Sequence, residues 1–194
     1  MKIELQPGDA LVLVDVQNDF LEGGSLAVPH SSAILPIING YIALFTRRNL
    51  PIIATRDWHP EDHCSFADNG GQWPVHCVAG TRGAAFSSQL ELPCSSHIVS
   101  KATAAGRDAY SGFDGTGLAD YLNTQGAARL FICGLATDYC VLHTVLDGLK
   151  AGFTVVLLTD AIRAVDVAQG DGAKAIASMT ENGAQVAVTG DIAA

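Results

Sequence analysis

Positive charge is scarce in this chain: eleven Lys and Arg stand against twenty Asp and Glu in 194 residues, a formal net charge of −9. A surface with that average field repels phosphate backbones and anionic lipid, which argues against nucleic-acid and membrane partners and leaves small neutral substrates unaffected. Long apolar runs are also missing. No stretch approaches the roughly 18 residues needed to cross a bilayer, and the opening MKIELQPGDALVLVDV has no basic segment leading into a cleavable apolar one. The five cysteines, Cys64, Cys77, Cys94, Cys133 and Cys140, are odd in number and lack C-x-x-C spacing, so neither a disulfide framework nor a Cys-rich zinc site is expected. A soluble protein in a reducing, cytoplasmic setting follows. Low-complexity segments, internal repeats and linkers are absent too, and one domain spanning residues 1–194 is expected. Charged residues make up only 16% against 48% hydrophobic, a balance that suits strands buried on both faces.

Six apolar segments read as such strands: ALVLVDV, LPIIATRDWH, SSHIVSK, LFICGL, FTVVLLTDAIRA and AQVAVTG. Between them lie helical patterns at residues 31–48, with Pro36 in the first turns, and in GTGLADYLNTQGA, VLHTVLDGLKAG and GDGAKAIASMTENG, several stopped by glycine. Strands alternating with helices imply right-handed crossovers. The predicted fold is α/β: a three-layer, doubly wound, mainly parallel six-stranded sheet with helices on both faces.

In such a sheet ligands bind outside the carboxyl ends of the strands, and three unusual residues sit there: Asp15, Lys101 and Cys140. Taken singly, each has an ordinary explanation as a cap, an emerging surface lysine or a core thiol. Together they supply a nucleophile, a base for its proton and a cation to favour the thiolate. In LFICGLATDYCV the strand stops at Gly134 and a short turn carries Cys140 to the start of a helix. That placement predicts a lowered thiol pKa and free backbone N–H groups for an oxyanion. Asp57 and His59, two apart at the end of an extended segment, point to one side and converge. The long segment WHPEDHCSFADNGGQWPVHCVAGTR adds His76 if it folds back, and His63 as a further candidate. Three N/O ligands with open positions describe a catalytic or substrate-binding cation site, although D-x-H with a remote His is by itself a weak pattern. Phe20 and Leu26 in the Gly-rich loop can form apolar pocket wall, the loop after Lys101 offers Asp108 and Tyr110, and Asp160 reads as a structural tie.

The stretches LVLVDVQNDF, RDWHPEDHCSF, WPVHCVAGTRGAAF, SKATAAGRDAYSGF, GLATDYCV and TENGAQVAV together resemble the nicotinamidase/pyrazinamidases of the isochorismatase-like cysteine hydrolase superfamily, over nearly the whole chain. WPVHCVAGT with DWHP is the specific part. The resemblance implies a catalytic triad of Asp15, Lys101 and Cys140 and metal ligands Asp57, His59 and His76, with His63 less certain. It implies ring-enclosing positions at Phe20, Leu26, Trp73 and Tyr110, an oxyanion hole from the backbone N–H groups of Ala136 and Cys140, and a cis peptide between Ala136 and Thr137. The activity implied is hydrolysis of nicotinamide, and of pyrazinamide by ring similarity, through a thioester and with one divalent metal ion. Zinc is the first choice, and iron or manganese suit the same ligands. The family more often has Gly after the lysine, where this chain has Ala102, and Cys64 lies outside its usual pattern. Two rival readings remain: a related amidase acting on an N-carbamoyl or ureide substrate, and a non-enzymatic small-molecule or metal-binding protein. A homo-oligomer is compatible with the sequence, which does not fix the oligomeric state.

Overall fold

The computed structural model describes residues 2–193. Its frame is a six-stranded sheet made of β2 (Asp9–Val14), β3 (Ile52–Asp57), β4 (His97–Lys101), β5 (Arg129–Leu135), β6 (Thr154–Arg163) and β7 (Gln185–Ala187), with every neighbouring pair parallel. Those are the six expected strands. Two shorter ones, β1 (Ile3–Glu4) and β8 (Ile192–Ala193), pair with each other and bring the two ends of the chain together. At two residues each they are too short to give a periodic signal in sequence.

The strand order is β4-β3-β2-β5-β6-β7. The chain winds outward from β2 through β3 to β4, returns to the centre as β5, then winds the other way. The reversal opens a crevice between β2 and β5, beyond their carboxyl ends. Both central strands are apolar because both faces are covered: every residue of β2 and all but Arg129 of β5 are buried. The covering helices are α1 (Leu35–Arg47), α2 (Leu118–Thr124), α3 (Leu142–Lys150) and α4 (Asp171–Glu181). A turn of 3-10 helix at Ser31–Ile34 leads into α1, with Pro36 in its first turn, where a missing N–H does no harm. Among the described residues no helix is long and apolar enough to cross a membrane.

Gly134, the last residue but one of β5, is required where the strand passes β2. Its φ is +116°, and a Cβ built there would lie 2.1 Å from the Val14 carbonyl oxygen. Only glycine lets β5 come this close to β2 at the crevice. The next residues contain a non-proline cis peptide, between Leu135 and Ala136. It lies one bond earlier than the resemblance implied, at the junction of strand and turn rather than inside the turn. Residues Thr137–Val141 then form a π-helical turn, and α3 continues from it.

Candidate active site

Asp15 follows β2 directly, Asp57 and Lys101 face each other in register at the ends of β3 and β4, and Cys140 lies in the turn after β5. The fold therefore delivers four chemical groups to one rim from four strands. Lys101 is at their centre. Its Nζ lies 3.0 Å from Asp15 Oδ2 and 3.4 Å from Cys140 Sγ, donates to the Ala109 carbonyl at 3.1 Å, and forms a short charged hydrogen bond with Asp57 Oδ1. The sulfur and one oxygen of each carboxylate lie within 4.8 Å of one another. The ammonium occupies the middle of that acidic group, which leaves no room for a metal ion there.

The side chains of Lys101 and Asp15 are fully buried, so the charges must compensate each other. Burial opposes the charge on Lys101, but Asp15 and Asp57 outweigh it and hold the ammonium well above its usual pKa. Burial also raises Asp15, with Lys101 opposing and Asp57 adding to the rise. Thr55 Oγ1 donates to Asp15 Oδ1 at 2.6 Å, whereas Oδ2 is held only by its ion pair with Lys101 and is the oxygen left to accept a proton. The expectation of a thiol acidified by its place before a helix is corrected. Burial pushes Cys140 well above its ordinary value, Lys101 opposes, and the two carboxylates add to the rise. Desolvation outweighs the partial charge of a turn because Cys140 is largely buried.

A second cluster faces this one. Asp57, His59 and His76 bring one ligand atom each within 4.8 Å of the others. Two backbone carbonyls fix the histidine tautomers: His59 Nδ1–H donates to Ala102 at 3.1 Å, and His76 Nδ1–H to Pro74 at 2.7 Å. Each Nε2 is thereby left with a lone pair, and that of His59 is buried without a partner. Ligating histidines are oriented in this way, and an orphaned Nε2 beside a carboxylate and a second imidazole fits a divalent cation. Burial, His76 and His63 lower the His59 pKa to about 3, which keeps the ring neutral and ready to ligate.

His63 is not part of that cluster. It stacks on His59 at 4.1 Å, but its Nε2–H donates to the Arg107 carbonyl at 3.1 Å and its Nδ1 is 2.7 Å from Ser65 Oγ. Both ring nitrogens are spent on protein partners, so its expected role as a further ligand is not supported. His76 comes into place because the segment after β3 folds back on itself, with His59 N–H donating to the Cys77 carbonyl and Ala79 N–H to that of His59.

Beside the two clusters, which share Asp57, opens a small, partly open cavity. Phe20, Leu26, Trp73 and Tyr110 all line it, together with Cys140, Ala136, Asp57, His59 and His76. Trp73 Nε1–H donates to the Tyr110 hydroxyl at 3.2 Å, and Tyr139 packs edge-on against Trp73 at 5.1 Å. The result is a flat-sided aromatic slot of the kind that holds a planar ring.

Several residues that sequence reasoning passed over hold this arrangement. Gln17, fully buried, donates to the Asp57 and Ala84 carbonyls and accepts the Asp57 N–H at 2.8 Å, fixing the backbone of a shared carboxylate. Asp19 accepts the Cys77 N–H at 2.7 Å, next to His76. Asp138 accepts the N–H groups of Val165 and Asp166, both at 2.9 Å, and so ties a cavity wall to the nucleophile's turn. The only signal for these was adjacency: Gln17 is two residues after Asp15, and Asp138 two before Cys140. Asp160 is the tie it was expected to be, accepting from Tyr41 and Thr189.

A family model, the isochorismatase domain, matches residues 9–191. The chain belongs to the isochorismatase family. Within that family, the nicotinamidase of Acinetobacter baylyi is 39% identical over 180 residues, covering 81% of this chain and 82% of its own. A pyrazinamidase of Pyrococcus horikoshii solved in complex with zinc superposes with a TM-score of 0.90 at 47% identity, covering 94% of this chain and 99% of that one. PnC1 from L. infantum, solved in complex with nicotinate, also gives a TM-score of 0.90, at 36% identity over 100% and 99% of the two chains. These isochorismatase-family structures share the parallel six-stranded sheet flanked by helices.

Proposed function

We propose that this protein is a cysteine amidohydrolase converting nicotinamide to nicotinate and ammonia, as one domain and in the cytoplasm, where the reaction serves NAD salvage. Pyrazinamide is a further substrate by ring similarity. One observation carries the reading. A buried ammonium lies within 3.4 Å of both a carboxylate and a thiol, and the thiol lines an aromatic slot that also contains two imidazoles and a second carboxylate. The names of the relatives support the choice of substrate.

Asp15 Oδ2 takes the proton from Cys140 Sγ. Burial raises the proton affinity of both groups, so the carboxylate is a stronger base than an exposed one, and the thiol keeps its proton until substrate is seated. The thiolate attacks the carboxamide carbon, with Lys101 offsetting the negative charge. The oxyanion accepts hydrogen bonds from the backbone N–H groups of Ala136 and Cys140. As the tetrahedral adduct collapses, the C–N bond breaks, Asp15 returns its proton to nitrogen and ammonia leaves a thioester. Asp15 then deprotonates a water that attacks the thioester, nicotinate departs, and the proton passes back to sulfur. Phe20, Leu26, Trp73 and Tyr110 enclose the ring.

Asp57, His59 and His76 would hold a divalent cation, zinc by preference. When bound it supplies a Lewis acid for the pyridine nitrogen and so orients the ring. The N-carbamoyl amidase reading has no use for these ligand atoms. Ammonia release from nicotinamide by wild type, with and without chelator, tests the proposal together with two variants. Cys140→Ala should abolish release while the circular dichroism spectrum is retained, and turnover by that variant would remove the covalent route. His59→Ala should strip the metal and raise KM for nicotinamide, and an unchanged metal content would refute the ligand assignment.

A further inference from the structure

Asp108 lines the cavity but takes no part in the chemistry above. Its position is fixed from both sides. The preceding carbonyl, of Arg107, accepts from His63 Nε2–H at 3.1 Å, and the following one, of Ala109, accepts from the Lys101 ammonium at 3.1 Å. Asp108 Oδ1 accepts the Ala109 N–H at 2.9 Å, which sets the direction of the carboxylate. The neighbouring cation does not neutralise it, because the Arg107 guanidinium turns outward to Asp114 at 2.5 Å. Among the described residues no ion pair is formed by Asp108, and none of those lining the cavity is Lys or Arg. The other lining carboxylate, Asp57, is paired with Lys101. Among the described lining residues Asp108 is therefore the one uncompensated carboxylate, anchored by the Ala109 N–H and partly shielded from solvent.

We infer that Asp108 is a specificity-determining residue that biases the charge class held in the slot, favouring neutral rings over anionic ones. The inference rests on the proposed reaction, which turns a neutral carboxamide into a carboxylate. A fixed negative charge on the wall distinguishes the two species after chemistry and so speeds release of product. Repulsion between two like charges across a partly solvated cavity corresponds to roughly a fivefold to tenfold effect on binding of an anion.

The test compares wild type and Asp108→Asn in zinc-loaded form. Asn retains the acceptor for the Ala109 N–H, so the loop keeps its anchor. Product inhibition by nicotinate and KM for nicotinamide are measured at low and at high salt. The expected result is a nicotinate Ki lower by about fivefold to tenfold relative to the nicotinamide KM, with the difference shrinking as salt rises. A Ki and KM that move together, or a KM that rises while Ki stays fixed, would overturn the inference, since the first marks a general change of cavity shape and the second a hydrogen bond to the amide. Absence of ammonia release by wild type would instead defeat the functional proposal itself, so the two failures are distinguishable.

Discussion

Replacing Lys101 by Met removes the one cation shared by two carboxylates and a thiol while keeping most of the side-chain volume. The oxygens of Asp15 and Asp57 are within 4.8 Å of each other. At an effective dielectric constant of 20, two unit charges at that separation repel by about 3.5 kcal/mol. With Asp15 already raised by burial and by Asp57, loss of the opposing Lys101 charge raises it further and favours its protonated form. A protonated Asp15 cannot accept the thiol proton, so kcat/KM should fall by about 10²–10⁴, the usual contribution of a general base. Part of the loss should return as pH rises and that proton leaves. Breaking a buried ion pair costs about 3–5 kcal/mol, which for a domain of this length lowers Tm by roughly 8–15 °C. The assays are ammonia release from nicotinamide between pH 6 and 10 and thermal unfolding of chelator-treated protein. Turnover within tenfold of wild type at pH 7 with an unchanged Tm would refute the reasoning, because it would mean that the ammonium neither poises the base nor holds the carboxylates together.

Other perturbations have equally definite outcomes. Gly134→Ala pushes a methyl against the Val14 carbonyl at a φ of +116° and should destabilise by about 3–5 kcal/mol in urea unfolding. Gly40→Ala, exposed within α1 with nothing within 4 Å of the added carbon, should instead stabilise by about 0.5–1 kcal/mol, and equal effects at the two sites would contradict the packing described. Arg129→Met removes the two 2.7 Å bonds to buried Asp9 at the opposite end of the sheet. It should cost about 2–3 kcal/mol in unfolding free energy and leave KM for nicotinamide unchanged. In the metal-free protein His59 is held neutral down to about pH 3, whereas in the unfolded chain it takes up a proton near 6.5. The unfolded state thus binds more protons between those values, so stability should fall as pH drops from 6.5 toward 3, by at most about 1.4 kcal/mol per pH unit from this group. Flat unfolding free energy across that window would show that His59 is not buried as described.

Periodicity and residue type were enough for much of this molecule. Strands buried on both faces leave continuous apolar runs, and a polar residue that ends such a run stands out, which is why Asp15, Asp57 and Lys101 are legible in the sequence, with Cys140 in the turn that follows such a run. Parallel winding then required the four to share a rim. The chain could not show how burial balances against charge among them, because that balance depends on distances across four strands. The Cys140 thiol was expected to be acidified by its turn, and is instead raised by desolvation and two carboxylates. His63 carried the same chemical promise as His76, and the two are separated only by which carbonyl each ring meets: Pro74 leaves one nitrogen of His76 open, while Arg107 and Ser65 close both of His63. Gln17, Asp19 and Asp138 carry no signature, since a buried amide or carboxylate acquires meaning only from the backbone groups that tertiary packing brings to it. Local chemistry and hydrophobic pattern are written along the chain, so the sequence determined the layered fold and the reactive groups. Protonation, ligand choice and support depend on what surrounds each group in space, and these the tertiary structure decided.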